Sequence, residues 1–178
     1  CKITTHLPPL AGGTEGFQTA IHLLPGGGIQ PNANTIINCV LEGGTDGIKI
    51  EANDVNGGNN TIIGGTCEGL SGYGIHAVGP GQGLRILGSH IEATSAPIRL
   101  ENFNSSVVSP SFATGGKIEI VGCRNIRIAD AFCGPVEIDE TSYECIIENV
   151  RLIEGWDRIF SETSGIRMSL PAGGLNRR

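Results

Sequence analysis

Thr35-Ile-Ile-Asn-Cys-Val-Leu-Glu-Gly43 returns as Thr61-Ile-Ile-Gly-Gly-Thr-Cys-Glu-Gly69, and again as Arg85-Ile-Leu-Gly-Ser-His-Ile-Glu-Ala93. Set beneath one another, the three stretches place Ile36, Ile62 and Ile86 in one column and Leu41, Cys67 and Ile91 in a second. Glu42, Glu68 and Glu92 form a third. The register continues through Ser106-Val-Val-Ser-Pro-Ser-Phe112, Arg127-Ile-Ala-Asp-Ala-Phe-Cys133 and Ile146-Ile-Glu-Asn-Val-Arg-Leu152. On that alignment Val107, Ile128 and Ile147 join the first apolar column, and Phe112, Cys133 and Leu152 join the second. Steps along the first column are 26, 24, 21, 21 and 19 residues, and a last turn opens at Ile166-Arg-Met168.

Each repeat carries a second apolar burst. These are Gly47-Ile-Lys-Ile-Glu51, Gly74-Ile-His-Ala-Val78, Pro97-Ile-Arg-Leu-Glu101, Lys117-Ile-Glu-Ile-Val121 and Pro135-Val-Glu-Ile-Asp139. A period of two assigns them to strands. Ile48, Ile75, Ile98, Ile118 and Val136 then point inward, and Lys49, His76, Arg99, Glu119 and Glu137 point outward. Asn38, Gly64, Gly88, Ser109, Asp130 and Asn149 share one turn-forming position within the first bursts, as a tight corner between two sheets requires.

A unit of this length cannot bury its own apolar face, whereas stacked units can. The leucine-rich pattern and its helical back are missing, which leaves a β-helix. The expected fold is all-β, a parallel β-helix of about seven coils, roughly 34 Å long at ~4.8 Å per coil. Residues 34–170 form the helix, 1–33 a lead-in or cap, and 171–178 a tail.

Composition agrees and narrows the function. Glycine makes up 28 of 178 residues, aromatics only 4% and charged residues 17%. That is neither a coiled coil, nor collagen, nor a disordered tail. No apolar run is long enough for a membrane-spanning helix, so no membrane insertion is expected. A net charge of −6 speaks against a nucleic-acid partner. The only methionine is Met168, so the chain reads as a processed or cut piece of something longer. The six cysteines form no C-x-x-C pair and have no histidine at metal spacing. Free, buried thiols are expected rather than a zinc site.

The stacked Ile ladders, the Asn/Gly turn column and the Gly-rich corners resemble the right-handed parallel β-helix of the pectin-lyase-like superfamily. That superfamily includes polysaccharide lyases, polygalacturonases, bacteriophage tailspikes and surface adhesins. The segment Phe17-Gln-Thr-Ala-Ile-His-Leu-Leu-Pro-Gly-Gly-Gly28 looks like the start of such a helix, where the family often places a short capping helix. The resemblance implies a tailspike-like or adhesin module that recognises a host polysaccharide. A lyase or glycoside hydrolase, and a structural virion or stalk solenoid, are the alternatives. It further implies a location on a virion or cell surface, or otherwise outside the cell. A rod with open sheet ends invites association, and a homotrimer is expected.

The candidate chemistry lies on the outward face of the second bursts. A lyase needs a base and a group that stabilises an enolate, and Arg99 beside Glu119 fits those types. A hydrolase needs two carboxyls at set separation, and Glu119 and Glu137 fall on adjacent coils. Lys49, His76, Glu101 and Asp139 line the same face as candidate substrate-binding residues. The bland alternative is a solvated row of stacked opposite charges. Glu42, Glu68 and Glu92 form a like-charge ladder whose repulsion a bound Ca2+ would relieve. Arg85, Arg127 and Arg167 are equivalent positions, suited to spaced anionic groups or simply to solvent. Tyr143, Trp156 and Phe160 are the scarce aromatics near the end of the chain.

Overall fold

A computed structural model describes residues 2–4, 17–27, 29–153, 159–161 and 167–169. Cys1, Trp156 and the expected tail 171–178 lie outside them. The described chain is a right-handed parallel β-helix of about six turns.

The first burst of each repeat splits at its turn residue into two strands on different sheets. The strands before the turn are Thr35–Ile37, Thr61–Ile63, Arg85–Leu87, Val107–Ser109, Arg127–Ala129, Ile146–Glu148 and Arg167–Ser169. They stack in that order as one seven-stranded sheet, the first sheet. The strands after it, Thr66–Leu70, His90–Ala93, Phe112–Thr114, Phe132–Cys133 and Arg151–Leu152, form the second sheet. The second bursts, Tyr73–Val78, Ala96–Glu101, Ile118–Val121, Val136–Ile138 and Ile159–Ser161, form the third. In the first full coil one long strand, Val40–Glu51, runs through the bend and belongs to both the second and third sheets.

Stacking begins before residue 34. Lys2–Thr4 pairs with the start of Val40–Glu51, and Phe17–Leu23 pairs with its remainder. The start of the segment that looks like the entry to the helix, Phe17–Leu23, is therefore itself a stacked strand.

The interior is built of ladders. Ile48, Ile75, Ile98, Ile118 and Val136 are in register on successive coils, and so are Ile50, Ala77, Leu100, Ile120 and Ile138. All are buried. Each fully buried Ile or Leu contributes about 1.5–3 kcal/mol, so the repeated aliphatic column is the main source of stability. In the third corner Phe103 fills the space above Gly81, where a Cβ would meet the ring at 2.3 Å.

The fourth coil departs from the sequence alignment by one residue. Val108, not Val107, pairs with Ile86 and Ile128 in the first column. Ala113, not Phe112, pairs with Ile91 and Cys133 in the second. The turn position consequently falls on Pro110 rather than Ser109. The corrected steps from Ile36 to Ile147 are 26, 24, 22, 20 and 19 residues. A one-residue slip exchanges the two faces of a strand, so Val107 and Phe112 face outward.

The strands of the first sheet are bracketed by left-handed residues. On one side stand Asn38, Gly64, Gly88, Asp130 and Asn149, all with positive φ. Pro110 cannot join them, because its ring fixes φ near about −65°. On the other side stand Ala33, Asn59, Gly83, Ser105, Asn125 and Glu144, with φ between 45° and 74°. This second column turns the chain back into the first sheet on every coil. It was not legible in the sequence, because Ala33, Ser105 and Glu144 are not residues that favour that conformation.

Candidate functional site

The third sheet puts Lys49, His76, Arg99, Glu119 and Glu137 side by side, one per coil, as the alternation requires. Apart from His76, their side chains are engaged by charged neighbours on the same face. The Arg99 guanidinium donates to Glu101 on its own strand and to Glu119 on the next coil. Lys117 donates to Glu137 one coil further on. Lys49 Nζ lies 2.7 Å from Glu51 Oε1, and His22 Nε2 lies 3.0 Å from the same oxygen. Hydrogen bonds from Lys49 and then His22 hold the Glu51 carboxyl below its usual range.

Glu119 and Glu137 thus occupy adjacent coils, as expected, but each is bound by a different cation. The Glu119 side chain is 21% exposed and that of Glu137 is 43% exposed.

His76 is sunk into the face, with a side chain 14% exposed. Its ring packs against Tyr73 at 4.6 Å between centroids, and the Arg99 guanidinium covers Tyr73 at 5.9 Å. The Nε2 atom has no hydrogen-bond partner and stands 3.6 Å from Glu101 Oε1. Burial pushes the imidazole pKa down, against the pull of Glu101. Asp139 is placed differently from the rest. Its carboxylate accepts from the hydroxyls of Ser142 and Thr141 and from the Gly122 N–H at 3.0 Å. Burial raises its pKa, but these donors outweigh that and lower it. Asp139 builds the turn that follows the strand.

The second sheet carries the glutamate ladder. Glu42 is in register with Glu68, and Glu92 follows across a local irregularity in the strand pairing. His90 stands between the last two, with Nε2 3.0 Å from Glu92 and 3.6 Å from Glu68. Among the described residues no group of three or more His, Cys, Asp or Glu is arranged to hold a metal ion. Glu68 and Glu92 thus flank the imidazole, with Glu42 in register with Glu68 on the coil before.

Sequence reasoning missed the aromatic content of this sheet. With the register corrected, Phe112 faces outward between His90 and Phe132. The ring centroids are 4.7 Å apart for His90 and Phe112 and 5.5 Å apart for Phe112 and Phe132. Beside this stack lies a shallow groove of about 460 Å3, lined by Gly69, Ser71, Glu92, Thr94, Thr114 and Gly115 among others.

Arg85, Arg127 and Arg167 do share one column, separated by Val107 and Ile146. Arg127 is bound to Glu148 on the next coil. Phe160 lies in a described strand, while Tyr143 is exposed beneath Arg124, at 5.2 Å from its guanidinium carbon.

Comparison with protein-family profiles, with characterised proteins and with solved structures finds no match to this chain.

Proposed function

We propose that this chain is a β-helix module that recognises a polysaccharide by binding, in the manner of a tailspike or surface adhesin of the pectin-lyase-like kind, on a virion or at a cell surface. The observation that carries the reading is the outward row of the third sheet. One side chain per coil, in register over five coils, makes a straight polar strip suited to a linear polymer. Binding is favoured over cleavage because Glu119 and Glu137 are each engaged by a cation. A glycosidase would need one carboxyl protonated and the other free to attack or to activate water.

Self-association belongs to the same reading. On the first sheet Ile37, Ile63 and Leu87 form an outward apolar column, and the first two are exposed. Such a column suits side-by-side packing of three copies.

The test is a panel of neutral and acidic polysaccharides, scored both for retention of the protein and for new reducing ends or unsaturated products. Retention without products is the expected outcome. Products that disappear in Glu119→Gln and Glu137→Gln would replace this reading with the hydrolase or lyase. Light scattering should give three times the chain mass, and a clean monomer refutes the trimer.

A further inference from the structure

The outward column of the second sheet runs Val40, Thr66, His90, Phe112, Phe132, Arg151. Three consecutive members are rings in contact, and the Phe132 side of the stack is the open one, with that residue 42% exposed. This is an apolar strip one ring wide along the helix axis. The carboxylates of Glu68 and Glu92 hold the His90 imidazole at the end of the stack. Two residues along each strand, the next outward positions are Glu92 and Thr114, and both line the groove. Rings and groove therefore form one continuous surface.

We propose that this surface is a saccharide-stacking subsite for an uncharged polysaccharide; the proposal rests on the polysaccharide-binding reading given above but assigns it to a different sheet. A sugar ring has an apolar C–H face and a rim of hydroxyls. The first fits an exposed aromatic face, and the second fits carboxylate and hydroxyl groups beside it. Charge decides the class of polymer. Beside His90 and Phe112 the flanking positions are Glu92 and Thr114, with Glu68 also against His90, so this end disfavours a polyuronate and accepts hydroxyl donors, while Arg151 stands next to Phe132 at the other end.

The test is affinity electrophoresis of the full chain through dextran, galactomannan and polygalacturonate, with Phe132→Ala, Phe112→Ala and Phe132→Trp compared with wild type. The expected result is retardation by a neutral polymer and not by polygalacturonate. Phe132→Ala should weaken it about tenfold, a change of about 1.4 kcal/mol, while Phe132→Trp retains it. An unchanged thermal midpoint in Phe132→Ala separates lost contact from lost fold. If wild type binds a neutral polymer and both alanine variants bind equally well, the ladder is not the site and the wider reading survives. Retardation by polygalacturonate alone overturns the charge argument. No retardation by any polymer removes the wider reading and this subsite together.

Discussion

Gly79 approaches Ala52 on the preceding coil so closely that a Cβ there would stand 1.9 Å from the Ala52 carbonyl oxygen. Its φ is +106°, a conformation that side chains rarely adopt. Space and conformation both exclude any larger residue. Gly79→Ala should cost about 3 kcal/mol or more, read as a lower denaturant midpoint. Gly88 is the control, because a Cβ there meets nothing within 4 Å. Gly88→Asn should be tolerated, since asparagine accepts the left-handed conformation already seen at Asn38 and Asn149.

The register of the fourth coil makes a sharp pair of variants. Val108 is fully buried and Val107 is half-exposed. Val108→Ala should lower stability by about 2–3 kcal/mol through loss of packed volume. Val107→Ala should change it by about 0.5 kcal/mol or less. Equal losses, or the reverse order, would restore the alignment drawn from the sequence.

The coil-to-coil ladders were legible because isoleucine recurs at fixed offsets from asparagine and glycine turns. Legibility failed where two adjacent valines offered the same hydrophobic signal in either register, and Ser109 and Pro110 both looked like turn residues. That single ambiguity hid the aromatic stack, because a slipped strand turns Phe112 into a core residue. The charged row of the third sheet was legible as a row. Its pairing pattern was not, since which carboxylate each cation reaches depends on side-chain conformation across coils. The second left-handed column could not be read at all, because backbone closure imposes it on alanine, serine and glutamate alike.

His76 gives the fold a pH dependence of definite sign. In the unfolded chain it titrates near about 6.5, and burial lowers that value in the fold. Above the unfolded value both states are neutral and His76 makes no difference. As pH falls through it, the unfolded chain takes up the proton first and stability declines until the folded value is passed. Unfolding free energy measured from pH 8 to pH 5 should therefore fall in wild type, and fall less in His76→Phe. Glu51 and Asp139 have lowered values, so their stabilisation persists through this window and is lost only in stronger acid.

Five described cysteines, Cys39, Cys67, Cys123, Cys133 and Cys145, are buried free thiols. Burial pushes the pKa of Cys67 and Cys133 up to about 12 and that of Cys123 up to about 11. Iodoacetamide at pH 8 should leave these three unmodified in the native protein and alkylate them in denaturant, as peptide masses would report. Rapid native labelling of Cys67 or Cys133 would place them outside the core.

The coils diminish along the axis. Strands of the second sheet shorten from five residues to four, three, two and two. Those of the third shorten from six, six and four to three and three. Within the described residues the later coils are therefore held to their neighbours by fewer backbone hydrogen bonds than the early ones. Local opening should begin where the strands are shortest and reach the six-residue strands last. Amide exchange should be slowest in Tyr73–Val78 and Ala96–Glu101 and faster in Val136–Ile138.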